Sequence, residues 1–311
     1  MDKIPERPKS KRRFVRFSLK TFLIVITLLG VVAGPYIYRA ERQKRVVQWW
    51  VNGGGLYSYD FEYIDNGDYR PQAKAPGPAF LHKLIGLDYF AKLIRLDPGN
   101  VVDDLSELED QKELQYLGVR TTSDNLAPLS RLTNLRSLGL ICESVSDLPT
   151  VNDLAPLSKL TNIEVMSLRN IIANDLSPLS NLTSLKRLGL HYRAPVKDQT
   201  PVSDLTPLSG LINLKALTLT NIRANDLSSL SSLTNLKVIE LRYAPVSDIT
   251  PLSGLTSIEL VSLANMPVSD LTPLIGLPNL KTLVVTKMTV SDDEIARFKQ
   301  AMPNCEVKTN R

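Results

Sequence analysis

From Leu126 onward, leucine or isoleucine returns at fixed offsets in a phrase close to DLxPLxxLxxLxxLxL, written seven times. Copies begin at Leu126, Leu154, Leu176, Leu205, Leu227, Ile249 and Leu271, so the intervals are 28, 22, 29, 22, 22 and 22 residues. A fixed period of this length predicts a solenoid, in which each unit buries its apolar face only against its neighbours. The last two apolar residues of each copy alternate with a polar or small one, as in Leu217-Thr218-Leu219 and Ile239-Glu240-Leu241. That alternation predicts a strand with one buried face, and such strands stack into a parallel sheet at about 4.8 Å per step.

The return segment reads Asp-Leu-Thr-Pro-Leu-Ser-Gly-Leu from Asp204 to Leu211. Proline recurs there at Pro128, Pro156, Pro178, Pro207, Pro251 and Pro273, with Ser229 breaking the series. Proline in so short a return disfavours an α-helix and leaves room for a 3-10 turn. The preceding Ser-Asp or Asn-Asp pairs (Ser203-Asp204, Asn225-Asp226, Ser247-Asp248, Ser269-Asp270) suit a cap or Asx-turn better than a ladder of metal ligands.

These residues resemble leucine-rich repeats, and the 22-residue length with DLTPLSGL and NLKxLxL is similar to the internalin-type bacterial subclass. The match runs from about Leu105 to Val307. The resemblance implies a right-handed horseshoe of β and 3-10 segments, a leucine-rich-repeat solenoid with about ten short parallel strands on its concave face and helical caps. One departure stands out. Where that family carries an asparagine ladder after the strand, this chain has Ile171, Ile222, Ala244 and Met266, which predicts an apolar interior there.

Both ends carry closing signals. Ser291-Asp292-Asp293-Glu294 reads as a capping box, followed by Ile295, Phe298 and Met302 at helical spacing, Pro303, and a final strand near Cys305 to Val307. At the other end, degenerate copies at Ile94–Leu96 and through Leu105, Leu108, Leu114, Leu117 and Val119 join a helical stretch, Ala79–Ile85, as an N-terminal cap. Tyr57, Tyr59, Phe61 and Tyr63 alternate along 56–63, more in keeping with a cap strand than a carbohydrate platform.

The first 45 residues set the expected location. Eighteen uncharged residues, Thr21 to Tyr38, separate Lys20 from Arg39. As a helix they span about 27 Å, near the thickness of a bilayer core. Eight basic residues precede them (Lys3, Arg7, Lys9, Lys11, Arg12, Arg13, Arg16, Lys20) and only Arg39, Arg42, Lys44 and Arg45 follow closely. The positive-inside rule then places the N-terminus in the cytoplasm and the repeats outside. Apolar residues continue through Tyr36-Ile37-Tyr38, which favours an uncleaved signal-anchor over a signal peptide cut after Val31-Val32-Ala33. The segment from Arg16 to Val25, followed by Gly53-Gly54-Gly55 and the tyrosine-rich strand, resembles the N-termini of planctomycete membrane-anchored repeat proteins.

The expected organisation is a basic cytoplasmic tail (1–20), a transmembrane signal-anchor (21–38), and a juxtamembrane helix, strand and linker (39–78). A cap with degenerate repeats (79–120), the leucine-rich repeats (121–290) and a C-terminal cap (291–311) follow. The triple glycine ends the helix at 39–51, and the loop from Asn66 to Pro78 is the expected hinge.

Charge follows this division. The chain carries +5 overall, but residues 1–45 hold 12 basic and 3 acidic side chains against 25 and 29 in the remainder. The exported part is mildly acidic, which argues against a nucleic-acid partner. Only two histidines (His82, His191) and two cysteines (Cys142, Cys305) occur, and no HExxH, GxSxG, P-loop or CxxC motif. Enzyme, cofactor and metal readings therefore lack their residues. Seven strand steps part the cysteines by about 34 Å, far beyond disulfide reach.

What remains is the open face of the sheet. Its middle position is small in most copies (Gly118, Gly139, Ser167, Gly189, Thr218, Ser262). Around it, Arg120, Arg169, Arg187, His191, Tyr192, Arg193, Glu240, Arg242 and Tyr243 form a candidate protein-binding patch, arginine and tyrosine being enriched at hot spots. The two long intervals each look like a six-residue stretch copied in tandem (145–150 with 151–156; 195–200 with 201–206), either the rim of a groove or tolerated slippage at an exposed loop. The expected function is non-catalytic recognition of a protein partner. The alternative is a structural component of the cell envelope that contacts wall polymer or its own copies.

Overall fold

Eleven strands form one sheet in chain order in the computed structural model, which describes residues 19–62, 73–89, 91–143, 151, 153–192 and 202–310. They are β1 (Leu56–Tyr59), β2 (Leu93–Asp97), β3 (Tyr116–Thr121), β4 (Ser137–Cys142), β5 (Val165–Ile171), β6 (Arg187–Tyr192), β7 (Ala216–Thr220), β8 (Val238–Arg242), β9 (Leu260–Ala264), β10 (Thr282–Thr286) and β11 (Glu306–Asn310). β2 to β11 pair in parallel, and only β1 runs antiparallel, on β2. Among the described residues three α-helices accompany the sheet: α1 (Leu19–Asn52), α2 (Ala79–Ile85) and α3 (Asp292–Ala301).

The period-two expectation holds in β3, β4, β6, β7, β8 and β10. In the repeat beginning at Leu205, the side chains of Leu205, Leu208, Leu211, Leu214, Leu217, Leu219 and Ile222 are all buried. The same columns continue through every neighbour, so one apolar core runs the length of the stack. Ile171, Ile222, Ala244 and Met266 are buried in it, as expected of an interior without an amide ladder after the strand.

Every return segment is a 3-10 turn, such as Thr206–Leu208 with Pro207 near its start. Asp204 Oδ1 accepts from the Thr206 N–H at 2.8 Å, and Asp104, Asp153, Asp175, Asp226, Asp248 and Asp270 repeat this Asx-turn. The carboxylates therefore satisfy turn amides. Among the described residues no group of three potential metal ligands comes together.

The strands end in two ways. Asn170, Asn221, Tyr243, Asn265 and Lys287 take left-handed φ of 48–58° just past or at the end of β5, β7, β8, β9 and β10. In β3, β4 and β6 the extended path continues instead and turns Thr121, Cys142 and Tyr192 inward. Residues 144–150, 152 and 193–201 fall outside the described residues, so the tandem stretches after β4 and β6 are not described.

Both caps are built. Ser291 Oγ accepts from the Glu294 N–H at 3.1 Å. The buried Glu294 carboxylate does not close the box. Its Oε1 accepts from the Leu271 N–H at 2.9 Å, tying α3 to the preceding repeat. At the N-terminal end the second half of α1 does the covering, with Ala40, Val46 and Trp50 buried. Gln43 accepts from the Leu93 N–H at 2.9 Å and donates to the Ala91 carbonyl at 3.0 Å, and Trp50 Nε1 donates to the Asp97 carbonyl at 2.6 Å. α1 ends at Asn52, at the triple glycine, and β1 is the cap strand, with Tyr59 buried and donating to Asp88 at 2.9 Å. Tyr63 and residues 66–72 of the expected hinge lie outside the described residues.

The expected spanning segment falls in the first half of α1. Among the described residues no helix is long and apolar enough to cross a membrane. The structure therefore does not carry the transmembrane, signal-anchor expectation. Cys142 and Cys305 are separate buried thiols.

Candidate partner-binding surface

Side chains at alternate positions of β3 to β10 face the open side of the sheet in three columns. The middle column forms its floor: Gly118, Gly139, Ser167, Gly189, Thr218, Glu240 and Ser262 pair in register across β3–β9. Small residues let the floor sink, leaving a concavity of about 390 Å³ at the N-terminal end, lined among others by Tyr116, Gly118, Gly139, Ile141, Ser167 and Arg169. A side chain at Gly118 would collide with Pro98, its Cβ coming within 2.7 Å of Pro98 Cδ. Arg95 stacks over the Tyr116 ring at 5.6 Å and forms part of the opposite wall.

The next column carries the charge. Ile141, Arg169, His191, Thr220, Arg242 and Ala264 are successive register partners. Arg169 and Arg242 are both exposed and stand three strands apart, about 14 Å. His191 sits between them, half-buried, with Nδ1 3.3 Å from Thr220 Oγ1. Burial first, then the positive charge of Arg169, hold its imidazole below the ordinary value; Glu240 pulls the other way, and Arg242 adds the smallest push down. Arg242 is partly neutralised by Glu240 at 3.3 Å, and Arg120 by Glu143 at 2.9 Å.

The structure thus brings Arg169, His191, Glu240 and Arg242 together, with Arg120 two strands from Arg169. Arg187 lies at the far end of β6, four residues from His191, and Tyr243 is exposed just past β8. Tyr192 must be removed from the patch: it is 3% exposed, facing the core opposite Ile171. Its neighbour His191 faces out, so period-two alternation turns Tyr192 in. Arg193 lies outside the described residues.

A second surface escaped the sequence reading. Asn134, Asn162, Asn213, Asn235 and Asn279 each donate Nδ2 to a carbonyl of the previous repeat at 2.8–3.0 Å. This amide ladder runs along the edge where the strands begin, not where they end. The asparagine of NLKxLxL, present in five of seven copies, was its signal.

No protein-family model and no curated protein matches the chain. Among solved structures it is similar to internalin C2 of Listeria monocytogenes, at 28% identity and a TM-score of 0.55, over 65% of this chain and 83% of that one. It is also similar to a second Listeria monocytogenes internalin, InlF, at 23% identity and a TM-score of 0.50, over 68% of this chain and 66% of that one. The fold is that of the bacterial, internalin-type leucine-rich-repeat proteins.

Proposed function

We propose that this protein is a non-catalytic recognition module that binds a protein partner through the concave face of its repeats. The observation that carries the reading is Arg169, an exposed guanidinium in no ion pair among the described residues, at the rim of a concavity floored by Gly118, Gly139 and Ser167. An arginine beside a recessed, partly apolar floor is the composition of an interface anchor. Leucine-rich-repeat solenoids use such extended concave surfaces for binding.

We further propose that the module is displayed outside the cytoplasmic membrane, with the N-terminus inside. Support comes from the 18 uncharged residues of 21–38 and their basic flank. Leu23, Ile24, Ile26, Leu28, Val31 and Val32 of α1 are 49–69% exposed, apolar surface that lipid would cover. Cysteine-scanning of residues 10 and 60 with an impermeant thiol reagent tests this topology. Labelling of residue 60 alone in intact cells is expected; labelling of both or of neither overturns it.

The binding reading is tested with the full chain in detergent as bait against an envelope lysate, beside Arg169→Glu and Arg242→Glu. A partner lost at Arg169→Glu by at least about tenfold, and less at the Glu240-paired Arg242, is expected. Equal capture by all three places binding elsewhere, and no capture by any favours the structural alternative.

A further inference from the structure

The edge carrying the asparagine ladder also carries a ladder of charge. Gln115, Arg136, Glu164, Lys186, Lys215, Lys237, Glu259 and Lys281 occupy the same place on successive rungs. Each rung is fixed by a backbone bond, as where Lys215 N–H donates to the Lys186 carbonyl and Lys237 N–H to the Lys215 carbonyl, both at 2.8 Å. The next rung is Glu306, whose N–H donates to the Lys281 carbonyl at 2.8 Å, and five cations against three carboxylates leave this edge positive, although residues 46–311 carry 25 basic and 29 acidic side chains.

The pairing is uneven. Glu164 accepts from Lys186 at 2.5 Å, and Glu259 takes Lys237 at 2.8 Å and Lys281 at 2.7 Å, which lowers its carboxyl to about 2. Both carboxylates pull on the outer members of the Lys186–Lys215–Lys237 run. Lys215, exposed between them, is in no ion pair among the described residues. Three ammonium groups on adjacent rungs, about 5 Å per step, repel one another. A furrow of about 600 Å³ opens beside Lys186 and Lys215, lined also by Arg136, Asn162, Glu164, Ser184 and Asn213, and Lys237 stands just past its lining.

We infer that this edge binds a linear phosphate-bearing polyol or sugar polymer, laid along the furrow with successive phosphates on the lysine run. The chemistry selects this class on three grounds. Lysine binds phosphate as a point charge, and Arg136, which lines the same furrow, presents a fork that also matches phosphate. The amide and hydroxyl lining offers hydrogen bonds to hydroxyls. None of the residues lining the furrow is aromatic, so it has no ring to stack a nucleobase. The surface is separate from the concave face and independent of the function proposed for it.

The test measures binding of the full chain in detergent to fluorescent poly(glycerol phosphate), polyglutamate and oligothymidylate of matched charge. It is run at low and high salt, with a Lys186→Gln/Lys215→Gln/Lys237→Gln variant and a charge-matched Lys287→Gln/Lys299→Gln/Lys308→Gln control. Saturable, salt-sensitive binding of poly(glycerol phosphate) is expected, weakened about tenfold in the first variant and less than about twofold in the control. Equal loss in both variants, or no binding, overturns the site. Polyglutamate or oligothymidylate binding as tightly as the phosphate polymer overturns the ligand class. Circular dichroism and unfolding midpoints of both variants separate loss of binding from loss of fold.

Discussion

Asn221 shows how much one residue settles in a repeat. Its φ of 58° would cost most side chains about 1–2 kcal/mol, and its Nδ2 donates to the Tyr192 carbonyl at 2.9 Å. Asn221→Ala keeps the strain and loses the bond, so it is expected to destabilise by about 1–2 kcal/mol. Asn221→Gly loses the bond but relieves the strain and should cost less. Urea unfolding of the pair checks the order, and an alanine as mild as glycine would show that the left-handed turn is not under strain. Tyr192 is the opposite case. Among the described residues its buried hydroxyl has no hydrogen-bond partner, and burial pushes its pKa far up. Tyr192→Phe is expected to leave stability unchanged or raise it by up to about 1 kcal/mol in the same measurement.

At the scale of the element, repetition made the sequence legible. Strand positions, 3-10 turns, Asx-turns and the concave columns all follow from offsets that recur, because every copy solves the same packing problem. The missed features are those that bind one copy to the next. Glu294 reads as a capping-box partner, yet its carboxylate serves Leu271, a residue from another repeat. The second half of α1 reads as a juxtamembrane helix, yet Gln43 satisfies the Leu93 N–H fifty residues on. Tyr192 reads as a patch residue by type, yet its period-two position turns it into the core. The aspartate ladder yields a pH expectation. Hydrogen bonds from the hydroxyl and then the N–H two residues on hold Asp204, Asp226, Asp248 and Asp270 below their ordinary 3.8. A depressed pKa stabilises above the unfolded value, and the gain disappears as pH falls through the folded one. Stability should therefore decline as pH drops below about 4. Replacing these aspartates with asparagine keeps the Asx-turns and should narrow the gap between urea midpoints at pH 7 and pH 3. An undiminished gap would assign the acid sensitivity elsewhere.

Over the whole molecule, each repeat touches only its neighbours, so stability is a chain of interfaces closed at two ends. Leu217 lies fully buried near the middle. Leu217→Ala is expected to cost about 2–5 kcal/mol and to raise amide exchange in β6–β8 before β10. Uniform acceleration along the stack would instead mean that the solenoid opens as one unit. The N-terminal closure is the less symmetrical one. A fragment starting at residue 56 lacks Ala40, Gln43, Val46 and Trp50, and should show fast exchange in β2 that a fragment starting at 39 does not.

That closure has a mechanical meaning. Any tension entering the domain through α1 reaches the sheet only after passing through Gln43, Trp50 and the Arg42–Asp110 ion pair at 2.7 Å, contacts made one by one along a helix. A load applied there peels the helix off rung by rung instead of shearing many strands at once. The first event under force is thus the uncapping of β2, which bares the end of the stack while the repeats beyond it stay folded.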